Sequence, residues 1–191
     1  MKITLLRHTE VEEAYFKCYN GHIDIGLSLN GEKQAKLLAQ EFSEEKFDLV
    51  YCSDLLRTRA TLAHFSQKKQ AIYTELLREK SWGKHEGMSF DAIMQEGEIE
   101  YVDFLQWIQA LDGEDYEIYI QRIKEFFLDF LITQKAENVL VITHGGVIRV
   151  LISLIKEISL QEAFSLDVAY GAYLILNTKT MSFSEVKYKL G

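Results

Sequence analysis

The chain has 191 residues, with 21 Lys and Arg against 29 Asp and Glu, and a formal net charge of −8. Hydrophobic residues make up 48% and charged residues 26%, the balance of a soluble globular chain long enough for one α/β domain. That charge excludes long-range attraction to nucleic acid or an anionic membrane, so any anion must be bound in a local cationic pocket.

The opening Met1–His8 holds too short an apolar run for a signal peptide, and no stretch reaches the roughly 18–20 apolar residues of a membrane span. A cytoplasmic location is therefore expected. Cys18 and Cys52 show no metal-ligand or redox spacing, as suits a reducing compartment. The chain contains no proline, which leaves Gly, Asn and Asp to mark the turns.

Ile3–Leu6 reads as a short buried strand. Asn30-Gly31 opens a helical pattern in which Ala35, Leu38, Ala39 and Phe42 recur at helical spacing. Phe47–Cys52 is a second strand, and Ser53 is placed to cap a helix running to about Phe65. Ala71–Tyr73 is a short third strand. Residues 82–115 are looser, with Trp82, Phe90, Tyr101, Phe104 and Trp107 in short helices, and are expected to lid the site. Tyr116–Thr133 has one apolar face, carrying Ile120, Ile123, Phe127, Phe130 and Leu131. Val139–Thr143 is an uninterrupted Val, Leu and Ile run before a threonine, the pattern of a strand buried on both faces of a parallel sheet. Gly145-Gly146 leads into Val147–Ile155, an apolar helix. Ala172–Asn177 and Phe183–Tyr188 form a closing pair of strands, whose edge is open to pairing in a homodimer.

Strands alternating with helices predict a three-layer α/β/α sandwich with a mostly parallel central sheet, all 191 residues forming a single domain. Ligands of such sheets lie beyond the carboxyl ends of the strands. Three strands end there in Arg7-His8, in Ser53 followed by Arg57, and in His144-Gly145-Gly146. Two histidines and two arginines would make a cationic pocket of phosphoryl size. Arg57 lies early in its helix and leans back toward the strand ends, where its fork can hold two phosphate oxygens. The glycines allow close approach of an anion to a helix N-terminus.

Leu6-Arg7-His8 resembles the Arg-His signature of the histidine phosphatase (phosphoglycerate mutase-like) superfamily. Ser53–Thr61 is similar to that family's Ser-x-Leu-x-Arg-x-x-x-Thr segment, Leu77–Gly87 to its acid-bearing loop, and Val141–Gly146 to its second-histidine motif. Asp24, Leu27, Gly31, Gln34 and Ala35 fall at its loop-to-helix junction. The resemblance implies a phosphoglycerate mutase-like fold and a hydrolase needing neither metal nor cofactor. His8 would be the nucleophile, forming a phosphohistidine. Arg7, Arg57 and His144 would stabilise the transferring oxygens, and Glu79 would be the proton donor, with Glu86 and Asp24 as rival carboxylates.

Thr9, where many relatives carry glycine, is similar to the small-phosphatase branch that acts on α-ribazole 5′-phosphate. This implies a small phosphorylated metabolite as partner. Ala14 stands where many relatives have a phosphate-binding asparagine, and Asn20 or a backbone amide is expected to replace it, beside Thr9 and Gly145. Mutase activity on phosphoglycerate, phosphoprotein hydrolysis and non-catalytic phospho-ligand binding stay open as alternatives.

Overall fold

A computed structural model describes residues 1–97, 99–184 and 187. The strands are β1 (Lys2–Arg7), β2 (Leu49–Ser53), β3 (Ala71–Thr74), β4 (Asn138–Thr143), β5 (Tyr173–Asn177) and β6 (Ser182–Phe183). They form one mixed sheet in the order β3-β2-β4-β1-β5-β6. The first four run parallel; β5 pairs antiparallel with β1, and β6 antiparallel with β5. β6 is shorter than the expected Phe183–Tyr188. The Ser184 amide still donates to the Ile175 carbonyl at 2.9 Å, Lys187 forms an isolated bridge with Tyr173, and residues 185, 186 and 188 lie outside the described residues.

The apolar strands are covered on both faces. Leu6, Val50, Cys52, Leu140 and Ile142 point to one side, under the helices α1 (Leu29–Glu41) and α2 (Leu56–Leu62). Leu38, Phe42, Leu62 and Phe65 complete that layer. Ile3, Leu5, Tyr51, Val139 and Val141 point to the other. There they meet Ile123, Phe126, Phe127, Val147, Val150 and Leu151. This alternation fits strands buried on both faces and makes the α/β/α sandwich.

The lid-like stretch contains two short helices, α3 (Phe90–Glu96) and α4 (Phe104–Ala110). The helix expected over Tyr116–Thr133 is continuous but changes hydrogen-bond register. It runs as α5 (Tyr116–Lys124), then a π-helical turn over Glu125–Phe130 and a tight turn over Leu131–Thr133. α6 (Gly145–Lys156) is apolar nearly all round, and α7 (Leu160–Ser165) follows it.

Two local expectations change. α1 opens at Leu29, one residue before the expected Asn30-Gly31, and Ser28 caps it, its hydroxyl accepting from the Gly31 amide at 2.9 Å. Gly31 must be glycine, because a Cβ there would meet the Glu10 carbonyl oxygen at 2.0 Å. Ser53 is not a helix cap. It closes β2, and α2 begins after Leu55 without a side-chain cap, which releases the serine hydroxyl for another partner.

Candidate active site

The parallel strands β1, β2 and β4 end side by side. Arg7 pairs in register with Thr143, so His8 and His144 each stand one step beyond the sheet. Their rings are 5.2 Å apart, edge to face. A cavity of about 270 Å³ opens beside His8, lined among others by Arg7, Asn20, Glu79, Gly145 and Arg149; His144, 1% exposed, lies behind that wall.

The His8 ring is oriented by one bond. Its Nδ1 lies 2.8 Å from the Thr9 carbonyl oxygen, which can only accept, so Nδ1 carries the proton and Nε2 keeps its lone pair. Burial, with Arg57 and Arg7 adding like-sign repulsion, holds His8 well below the ordinary imidazole value. The ring is thus neutral and nucleophilic at neutral pH.

His144 has the opposite tautomer. Arg57 Nε donates to its Nδ1 at 3.3 Å, so Nε2 bears the proton and donates to Ser53 Oγ at 2.9 Å. Burial, followed by Arg57 and His8, also pushes His144 well below the usual range. Ser53, read from sequence as a cap, is the group that fixes this ring.

Arg57 departs from expectation. It is 1% exposed. Nη1 donates to the Ile23 carbonyl at 2.9 Å, and Nη2 to the Asn20 and Gly21 carbonyls at 3.2 and 2.7 Å. With Nε on His144, four of its five N–H groups serve the protein. A two-oxygen grip on phosphate is not open to it in this arrangement; instead it ties the loop through Asn20–Ile23 to His144. Burial lowers its pKa to about 10, and it remains charged.

The carboxylates sort themselves by their partners. Glu79 lines the cavity. It accepts from the Tyr119 hydroxyl, from the Lys80 amide at 3.1 Å and from the Gly146 amide at 2.8 Å. Glu86 accepts from four backbone amides, those of Gly21, His22, Ile23 and Trp82, at 2.7–3.1 Å. It is a structural clamp. Asp24 lies outside the cavity, where it accepts from the Leu56 amide and stands 3.9 Å from Arg59. Of the three, only Glu79 faces the cavity.

Arg7 lies 4.1 Å over the Tyr170 ring, and its Nη1 donates to the Val168 carbonyl at 2.6 Å. Its Nε is buried without a partner. Arg149 was not singled out from sequence. Its Nη1 and the Arg7 Cζ lie 2.8 and 3.2 Å from where a Cβ of Gly145 would stand. Two guanidiniums thus flank the N-terminus of α6, with Gly145 between them. The available signal was an arginine four residues after Gly145 in an otherwise apolar run, a spacing that aims it back over that glycine. Tyr119 and Tyr170 had no comparable signal.

One expected phosphate contact is corrected, and a second is narrowed. The Thr9 amide donates to Thr61 Oγ1 at 3.1 Å, and its hydroxyl lies 3.2 Å from the same atom. It is fully buried and serves the site only through the carbonyl that holds His8. Asn20 does line the cavity, but its Nδ2 donates to the Tyr15 carbonyl at 2.7 Å. Reversing the amide would set oxygen against oxygen, so the orientation is determined. What is left over is the second N–H of Nδ2, a donor, and the oxygen, an acceptor.

A sandwich that gathers a neutral nucleophilic histidine, arginines with donors to spare and a positioned carboxylate at its strand ends is the framework of a phosphoryl-transfer enzyme. The profile of the histidine phosphatase superfamily (branch 1) matches residues 3–190. The chain belongs to that superfamily and is an enzyme of its phosphatase class. It is 31% identical over 159 residues to the adenosylcobalamin/alpha-ribazole phosphatase of Escherichia coli, covering 80% of this chain and 78% of that one. It is 28% identical over 185 residues to phosphoserine phosphatase 1 of Hydrogenobacter thermophilus, covering 93% and 86%. The crystal structure of the alpha-ribazole phosphatase from Shigella flexneri superposes with a TM-score of 0.82 at 25% identity, covering 96% and 94%.

Proposed function

We propose that the chain hydrolyses a small phosphomonoester through a phosphohistidine on His8. The observation that carries this is the His8 tautomer: neutral, with Nδ1–H held by Thr9 and the Nε2 lone pair unengaged at a cavity wall. Nε2 attacks phosphorus as the ester P–O bond breaks, and Glu79 passes its proton to the departing alkoxide. The Glu79 carboxylate then takes a proton from a water that displaces the histidine from phosphorus. Arg7, Arg149 and the start of α6 neutralise the transferring oxygens, a role the protein's own cations fill. A phosphoryl oxygen competing with Ser53 for the His144 Nε2–H brings that ring into contact too.

Residues 82–115 act as the lid of one domain. Trp82 lines the cavity, and Trp107 Nε1 donates to the hydroxyl of another wall residue, Tyr19, at 2.5 Å. α-Ribazole 5′-phosphate is the substrate suggested by the names of the similar proteins, and the aromatic walls of the cavity support it.

The test is hydrolysis of p-nitrophenyl phosphate in EDTA by wild type and His8→Ala. Activity in EDTA that disappears in the variant is the expected result. Activity that survives the substitution would assign the nucleophile elsewhere.

A further inference from the structure

Among the described residues, three buried polar atoms left without a partner belong to residues that line the same cavity: Arg7 Nε, Asn20 Oδ1 and the Tyr116 hydroxyl. Buried polar groups are ordinarily paired, so a cluster of unpaired ones around a cavity points to a ligand that completes them. Arg7 Nε is a charged donor and suits phosphate. Asn20 Oδ1 does not, and the Tyr116 hydroxyl serves a phosphate oxygen or an alcohol equally well. Asn20 Oδ1 is an acceptor only, and its amide cannot turn over without losing Tyr15. Tyr116 is 5% exposed, and burial keeps its hydroxyl protonated; it can donate one hydrogen bond and accept another.

We propose that Tyr116 and Asn20 form a subsite for the alcohol half of the ester and select polyhydroxylated alcohols, such as a sugar or glycoside carrying its phosphate on a primary carbon. This rests on the phosphohistidine reading above and specifies its substrate class. Asn20 Oδ1 needs a donor, which phosphate and carboxylate oxygens lack at neutral pH. An ammonium group would donate, but Arg7, Lys80 and Arg149 line the same cavity and oppose a further cation. A hydroxyl satisfies Asn20 without that repulsion, and a neighbouring hydroxyl satisfies Tyr116.

Position agrees with chemistry. The Tyr116 ring packs 5.8 Å from that of Tyr119, whose hydroxyl binds Glu79. Tyr116 therefore stands beside the group that protonates the leaving oxygen, on the alcohol side of the reaction. Tyr19, Trp82 and Phe164 supply apolar faces in the same cavity, suited to the C–H face of a sugar ring or to a planar substituent.

The experiment compares ribose 5-phosphate with tetrahydrofurfuryl phosphate, the same ring without hydroxyls, and with p-nitrophenyl phosphate. Wild type is expected to favour ribose 5-phosphate over its hydroxyl-free counterpart by about tenfold or more in kcat/KM. Tyr116→Phe should erode that ratio by roughly five- to tenfold, with Asn20→Ala acting in the same direction. No wild-type preference would overturn the proposal, and so would a Tyr116→Phe loss equal on all three esters. The wild-type preference decides the matter even if a variant fails to fold. Absence of His8-dependent turnover of any ester, p-nitrophenyl phosphate included, would instead overturn the phosphohistidine reading, and the subsite with it.

Discussion

Acidification should withdraw stability from this fold through its two site histidines, and the amount can be worked from their surroundings. Burial, then Arg57, hold both His8 and His144 well below the ordinary imidazole value. Because the folded values are depressed, the unfolded chain takes the proton first. The neutral rings contribute fully above about pH 7.5, and stability falls as pH drops through the unfolded value of about 6.5. Below that point each ring removes about 1.4 kcal/mol per pH unit until its own folded value is reached. From about pH 7.5 to about pH 5.5 this amounts to about 1.4 kcal/mol per ring and about 3 kcal/mol for the pair. That is a large share of the roughly 5–15 kcal/mol that stabilises a typical domain. The assay is urea unfolding of wild type and His144→Gln at both pH values. Contributions common to the two proteins, including those of carboxylates and His22, cancel in the comparison. The variant should lose about 1.4 kcal/mol less than wild type between the two pH values. Equal losses would refute the reasoning, since they would mean that His144 takes up its proton as readily folded as unfolded.

Glu79→Gln should lower kcat by roughly 10²–10⁴-fold for alkyl phosphates but far less for p-nitrophenyl phosphate, whose leaving group needs little protonation; equal losses would remove Glu79 from the acid's role. Glu86→Gln sets an amide NH₂ among four backbone donors and should cost about 3 kcal/mol or more, read as a fall in Tm. An unchanged Tm would contradict the clamp. Gly145→Ala places a methyl 2.8 Å from Arg149 Nη1 and 3.2 Å from Arg7 Cζ. It should weaken inhibition by inorganic phosphate severalfold, and an unchanged inhibition constant would place the anion elsewhere.

The architecture was legible where side-chain pattern and environment coincide. Val139–Thr143 and Ile3–Leu6 are apolar on successive residues because both sheet faces are covered, and each lies within an observed strand. The Ser53 hydroxyl was misread because a serine before a helical pattern ordinarily caps it. In the fold it looks across the sheet ends to His144, 91 residues away. Arg57 was misread for a related reason. Residue type told what it can donate, but the Ile23, Asn20 and Gly21 carbonyls had already taken those donors.

By itself the sequence determined the strand and helix order, the strand ends at which chemistry collects, and the cationic character of the pocket. These follow from local periodicity and from parallel strands ending on one side. The tertiary structure alone decided which ring nitrogen of His8 is free, which carboxylate faces the cavity and which arginines keep unpaired donors. Each of those is a competition for hydrogen-bond partners distant in the chain, and its outcome exists only once the backbone has brought them together.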